Sequence, residues 1–241
     1  MSGRGVGTDP QQQKIPQDFP QPLGQQSLRL HTAFNPSKHG FLFANHFELS
    51  LPLLPNRARF TIGLCGGMCS LALEAYCCKR LLTRQTQPPA PGSSLYRLLW
   101  RRQLSSLLPI TRPLKILYQT WQGDERLWRQ SLREARRLWD LINHAGPQVL
   151  ILIRTRGLAN PFQNHQALAT GIEWRNSNRE WIIYLYDPNY PGQELTLRLS
   201  TDESQPRPRI EYSSGEQTRG FFVQRHCPCR RPKGEPLVTA S

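Results

Sequence analysis

The dipeptide Gly146-Pro147 divides this chain by the period of its apolar residues, and that change restricts the fold more than any other feature. Before it, apolar side chains return at helical spacing. In Asp124 to Ala145, Trp128, Leu132, Ala135, Trp139 and Ile142 line one face, Asp124 and Glu125 stand in the first turn, and Gly146-Pro147 stops the helix. Ser94 to Leu108 carries Leu95, Leu98, Leu99, Leu104 and Leu107 on one side and Arg97, Arg101 and Arg102 on the other, and reads as a second helix. Gly66 to Leu82 reads as a third, with Leu64, Met68, Leu71, Ala72, Ala75, Cys78 and Leu82 on its apolar face. Beyond Pro147 the runs are short and strand-like: Gln148–Arg154, His165–Trp174, Glu180–Asp187, Glu194–Leu199, Arg209–Tyr212 and Gly220–Gln224, with Asn176-Ser-Asn178 as a turn. Helices first and antiparallel strands afterwards predict an α+β domain, N-terminal helices packed on a C-terminal antiparallel sheet.

Composition bounds the rest. The Gln/Pro-rich residues 1–28 and the basic, Pro-rich residues 226–241 hold too little apolar surface to order themselves, so the expected folded domain is 29–225. Within it, Gln85 to Ser94 is a Pro-rich linker opening a helical segment, 85–146. The net charge of +14 favours an anionic partner, and Arg126, Arg129, Arg133, Arg136 and Arg137 on the 124–145 helix are the candidate contacts. No run of eighteen apolar residues exists, so no transmembrane segment is expected. The first residues lack the apolar core of a secretory signal, and a cytoplasmic setting is the expectation. The cysteines, 65, 69, 77, 78, 227 and 229, do not form the spacing of a secreted disulfide framework.

Cys65 is the residue with chemistry. It stands where a glycine turn, Gly66-Gly67, meets the first helix. A thiol there meets the positive end of the helix dipole and unbonded N–H groups, and both favour the nucleophilic thiolate. Cys69, one turn later, is the alternative nucleophile, and a Cys65–Cys69 disulfide would silence either. Cys77 and Cys78 are expected to pack. His226-Cys-Pro-Cys229 lacks the second ligand pair of a closed zinc site, so no metal or other cofactor is expected.

His165 opens one predicted strand and Asp187 ends the next. If the two strands pair as a hairpin, both residues reach the same sheet edge, where a carboxylate can orient an imidazole toward a thiol. Cys65, His165 and Asp187 are therefore the candidate catalytic residues, with Gly66, Gly67 and Asn164 as candidate oxyanion or positioning residues. His39 and His46 have no motif around them and are expected to be structural. Trp174, Trp181, Tyr184 and Tyr186 alternate along strands and are expected to pack.

The pieces CGGM at Cys65, HQALATGIE at His165 and YDPNYPG at Asp187 resemble the papain-like cysteine peptidase superfamily, and among its branches the peptidases that cleave double-glycine leaders from bacteriocins. The resemblance covers Cys65 to Leu199. It implies a cysteine nucleophile, a histidine base and an aspartate orienter, acting on a peptide or amide bond of a peptide or protein substrate. Two features depart from the pattern. Those peptidases carry a glutamine shortly before the cysteine; here Asn56 is the nearest substitute, and the Cys65 N–H is a further oxyanion donor. The 85–146 segment is also longer than a minimal peptidase needs. A non-catalytic scaffold and a basic binding module for an anionic partner are the alternatives.

Overall fold

The computed structural model describes residues 27–50, 59–108, 110–157, 163–204 and 209–224. The expectations for both tails, for Asn56 and for the His226–Cys229 cluster fall outside the described residues.

The domain is mixed α+β. Its strands are β1 (Leu28–His31), β2 (Phe47–Ser50), β3 (Arg59–Ile62), β4 (Gln148–Ile153), β5 (His165–Arg175), β6 (Glu180–Tyr186), β7 (Glu194–Ser200), β8 (Ile210–Tyr212) and β9 (Gly220–Gln224). Its helices are α1 (Pro36–His39), α2 (Cys65–Cys77), α3 (Ser94–Ser106), α4 (Thr111–Thr120) and α5 (Asp124–Ala145). The main sheet runs β8-β7-β6-β5-β4-β9, every pairing antiparallel. β5 is its spine. β6 pairs along one edge, while the other edge is shared: β4 takes His165 to Ala169 and β1 takes Gly171 to Trp174. The register shift on β5 between Ala169 and Gly171 falls where the partner changes. There β1 comes so close that a Cβ on Gly171 would lie 2.9 Å from the Leu30 carbonyl oxygen.

Two main cores flank the sheet. Met68, Leu71 and Ala72 of α2 meet Leu95, Leu98 and Leu99 of α3 and the sheet residues Val149, Leu168 and Tyr186. Trp128, Ala135, Leu138 and Ile142 of α5 meet Leu150, Leu152, Ala167, Ile183 and Leu197. β4 is buried at every residue, as its unbroken apolar run requires. The helices between 94 and 145 thus supply part of each core. The ribbon of β2 and β3 carries the chain into α2.

Two expectations about α2 are corrected. The helix ends at Cys77 instead of Leu82, and Cys77 and Cys78 are exposed instead of packed. Lys79 adopts a left-handed φ of 53°, the Arg80 N–H reaches the Ala75 carbonyl at 2.8 Å, and the Lys79 N–H reaches the Tyr76 carbonyl at 3.0 Å. This 6→1 and 5→2 pair is a Schellman stop made without glycine, and it turns the chain before Cys78 can face the core. Helix α4 was absent from the sequence reading. Pro113 lies in its first turn, where a missing N–H costs nothing to the helix.

Candidate active site

The first turn of α2 is pressed into its surroundings. A Cβ on Gly67 would lie 2.3 Å from the Leu99 carbonyl oxygen of α3, and one on Gly66 would lie 2.5 Å from Ser106 Oγ and 2.7 Å from Gln166 Nε2. Only glycine lets α3 and β5 come this close. Cys65 is the first residue of the helix, so its backbone N–H points out of the N-terminus, and the residue is 9% exposed. The Gly67 N–H is held by Gln103 Oε1 of α3 at 3.0 Å.

The hairpin of β5 and β6 pairs Leu168 with Tyr186, which sets His165 and Asp187 at one end of the two strands. His165 Nε2 lies 2.7 Å from Asp187 Oδ1, both residues being buried. The other ring nitrogen, Nδ1, is the one left to face the Cys65 thiol, with which His165 shares a hydrogen bond. The structure therefore brings Cys65, His165 and Asp187 together, with the imidazole interacting with both the thiol and the carboxylate.

Asp187 is closely held. Its Oδ1 also accepts the Asn189 N–H at 2.8 Å, its Oδ2 accepts the Tyr212 hydroxyl at 2.5 Å, and Arg154 Nη2 stands 3.9 Å from Oδ2. Burial raises the carboxyl pKa, but the His165 charge and these donors outweigh it and keep Asp187 ionised. For His165, burial acts downward; the charges of Asp187 and the Cys65 thiolate and the hydrogen bonds to both prevail and push it up to about 9. For Cys65, burial acts upward and so does Asp187, but the imidazolium, its hydrogen bond and the Gln166 backbone N–H bring the thiol below its ordinary value. These directions fit a thiolate–imidazolium pair at neutral pH.

Cys69 is a different thiol. It is fully buried, it donates to the Gln166 carbonyl at 3.5 Å, and burial together with the Cys65 charge pushes its pKa well up. It stands in the core and stays a neutral thiol. Both cysteines are free. Asn164 spends its carbonyl on the end of β4, accepting from the Arg154 N–H at 3.0 Å and the Thr155 N–H at 3.5 Å, and so ties the residue before His165 to that strand.

Three residues near the site carried no motif. Tyr212 arrives from β8, two strands beyond β6. Asn45 accepts the Leu64 N–H through Oδ1 at 2.5 Å and donates from Nδ2 to Asn189 Oδ1 at 3.0 Å. Gln103 touches the nucleophile turn from the next helix, a source of a side-chain amide that Asn56 and Asn164 did not suggest. His39 accepts the Asn35 N–H and packs on Phe34 and Tyr76, a structural place. Among the described residues no cluster of His, Cys, Asp and Glu has the makings of a metal site.

The arginines of α5 are partly matched by carboxylates. Arg129 pairs with Glu125 at 2.9 Å and Glu203 at 3.8 Å, Arg137 pairs with Glu134 at 3.4 Å, and Arg126 donates to the Tyr118 hydroxyl. No helix among the described residues is long and apolar enough to cross a membrane.

No family model, curated protein or solved structure matches this chain.

Proposed function

We propose that this chain is a papain-like cysteine hydrolase acting on a peptide or amide bond, with Cys65 as nucleophile, His165 as general base and acid, and Asp187 as the group that orients His165. The observation that carries the reading is the buried 2.7 Å contact of His165 Nε2 with Asp187, which turns Nδ1 to the thiol at a helix N-terminus. The thiolate adds to the carbonyl carbon, and the new oxyanion takes the Cys65 N–H and the side-chain amide of Gln103 as donors. The protonated Nδ1 gives its proton to the leaving nitrogen as the C–N bond breaks, leaving a thioester on Cys65. The neutral imidazole then takes a proton from water, which attacks the thioester and frees the acid and the thiolate. Asp187 stays ionised throughout and stabilises the imidazolium.

The test is labelling with a thiol-directed probe across pH, with the labelled peptide identified by mass. Wild type and Cys69→Ala should react at Cys65 at neutral pH, Cys65→Ala should lose that label, and His165→Ala should slow it by about tenfold or more, one pKa unit being a factor of ten in thiolate. An ordinary alkaline thiol at Cys65 would remove the enzyme reading and leave a scaffold.

A further inference from the structure

Helix α4 sits inside out. With about 100° per residue, Ile110, Leu114, Tyr118 and Trp121 fall within an arc of about 80° on one face. That face looks to solvent: Ile110 is 74% exposed, Trp121 64%, Leu114 59% and Tyr118 52%. The opposite face holds Gln119 and Thr120, both buried, and Ile116, which packs on Ile151, Ile153 and Phe222. Polar contacts hold the helix end this way round. The Thr120 carbonyl accepts the Gly157 N–H at 3.0 Å and Arg219 Nη1 at 3.3 Å. A helix oriented by packing alone would bury its apolar row. Leu104 and Leu108, at and just beyond the end of α3, are exposed as well.

The local balance of charge is positive. From residue 75 to residue 123 the sequence contains eight cations, Lys79, Arg80, Arg84, Arg97, Arg101, Arg102, Arg112 and Lys115, and no Asp or Glu. Arg126 of α5 adds a guanidinium beside the row, 3.1 Å from the Tyr118 hydroxyl. Arg102 is spent on Glu74 of α2 at 3.0 Å, and the acids that open α5 are themselves matched, Asp124 by Arg156 and Arg219 and Glu125 by Arg129 and Arg209. Cations alone would suit any polyanion, but aliphatic side chains gain nothing from a phosphate backbone. Leucine and isoleucine knobs with a Trp and a Tyr, with Arg112 and Lys115 on the same helix and Arg126 beside it, match the chemistry of an anionic lipid surface: acyl chains take the knobs, headgroup phosphates take the cations, and Trp and Tyr sit at the boundary.

We propose that the α3–α4 face docks on an anionic lipid bilayer, with Ile110, Leu114, Tyr118 and Trp121 inserted at the headgroup level. The docking does not depend on the hydrolase reading, and Cys65→Ala should bind as wild type does.

Vesicle co-sedimentation of the full chain tests it. Vesicles with about 30 mol% phosphatidylserine in phosphatidylcholine should retain the protein at about 0.1 M salt, pure phosphatidylcholine should not, and about 0.5 M salt should weaken retention several-fold. The double variant Ile110→Glu/Leu114→Glu, made at exposed positions and checked for an unchanged melting curve, should lower partitioning by about tenfold or more. Absence of binding to the anionic vesicles overturns the proposal. So does equal binding by the double variant, which would place the contact elsewhere. A dimer in light scattering that the double variant dissolves, without vesicle binding, would give this face to a second copy of the chain instead, and capture of an acidic protein in place of vesicles would give it to that partner.

Discussion

Asn45 Nδ2 and Asn189 Oδ1, 3.0 Å apart, join the segment before β2 to the loop that follows Asp187. On one side, Asn45 Oδ1 holds the N–H of Leu64, the residue before Cys65. On the other, the Asn189 N–H is held by Asp187 Oδ1, and the Asn45 N–H by the Pro188 carbonyl at 3.0 Å. One buried amide therefore fixes the spacing of Cys65 and Asp187, groups that the chain places 122 residues apart (187 − 65). Asn45→Ala leaves the buried Leu64 N–H without its acceptor and frees the Asp187 loop. The expected loss is about 1–3 kcal/mol of stability, from an unsatisfied buried donor, with slower alkylation of Cys65. Urea unfolding and probe kinetics measure both. An unchanged alkylation rate at reduced stability would make Asn45 structural alone.

The glycines after Cys65 should differ when each is given a methyl group. At Gly67 the Cβ meets backbone, the Leu99 carbonyl at 2.3 Å, and backbone cannot swing away. Separating α2 from α3 opens the core that Met68 and Leu99 share, so Gly67→Ala should cost about 1–3 kcal/mol or more. At Gly66 the Cβ meets the ends of Ser106 and Gln166, which can rotate. Gly66→Ala should therefore be the milder change, read as a smaller fall in melting temperature. The reverse order would mean that the α2–α3 approach is not what the glycines serve.

The architecture was legible where period and punctuation agree. Gly146-Pro147 ends α5 and precedes β4, and Asp124 and Gly146 bracket a helix that the structure places over the same residues. The shared edge of His165 and Asp187 followed from one hairpin, because antiparallel pairing sets the start of one strand beside the end of the next. Less was legible where the cause lies far off in sequence. Tyr212 belongs to a three-residue strand, too short to show a period, and its place beside Asp187 depends on the order β8-β7-β6. The end of α2 was missed because Lys79 takes the left-handed turn that glycine usually marks. Helix α4 was missed because the prolines at 109 and 113 read as loop punctuation in the sequence and its apolar row faces outward.

Gln103 should separate nucleophile activation from oxyanion binding. Its Oε1 is fixed on the Gly67 N–H, so its amide lies on the first turn of α2. Gln103→Ala should slow acyl transfer from p-nitrophenyl acetate by about a hundredfold, the usual loss for one oxyanion donor. Alkylation of Cys65 by iodoacetamide forms no oxyanion and should change little. Equal loss in both reactions would show that Gln103 supports the helix turn and does not act on the reacting carbonyl.

The pH response follows from the signs of three coupled shifts. His165 is raised to about 9: burial opposes this, and the charges of Asp187 and the Cys65 thiolate outweigh it. A base with a raised pKa contributes stability that is complete below its unfolded value of about 6.5 and is lost as pH rises through about 9. Cys65 is lowered from 9.0, burial again opposing, by the imidazolium and the hydrogen bonds it receives. Asp187 is lowered from 3.8, against burial, chiefly by His165. Acids with lowered pKa values contribute stability above their unfolded values and lose it as pH falls through the folded ones. The thiolate–imidazolium pair therefore exists between the lowered Cys65 value and about 9. Iodoacetamide alkylation should have its midpoint below pH 9 and stay high above it, since it needs only the thiolate. Cleavage of an amide also needs the imidazolium to protonate the leaving nitrogen, so it should fall with a limb near pH 9. In His165→Ala, burial acts on Cys65 without the imidazolium, and the alkylation midpoint should move above 9. Tyr212→Phe removes one donor from Asp187 while leaving His165 in place, and should bring only a small shift in the same limb. A His165→Ala profile that overlays the wild type would show that the imidazole and the thiol do not act as a pair.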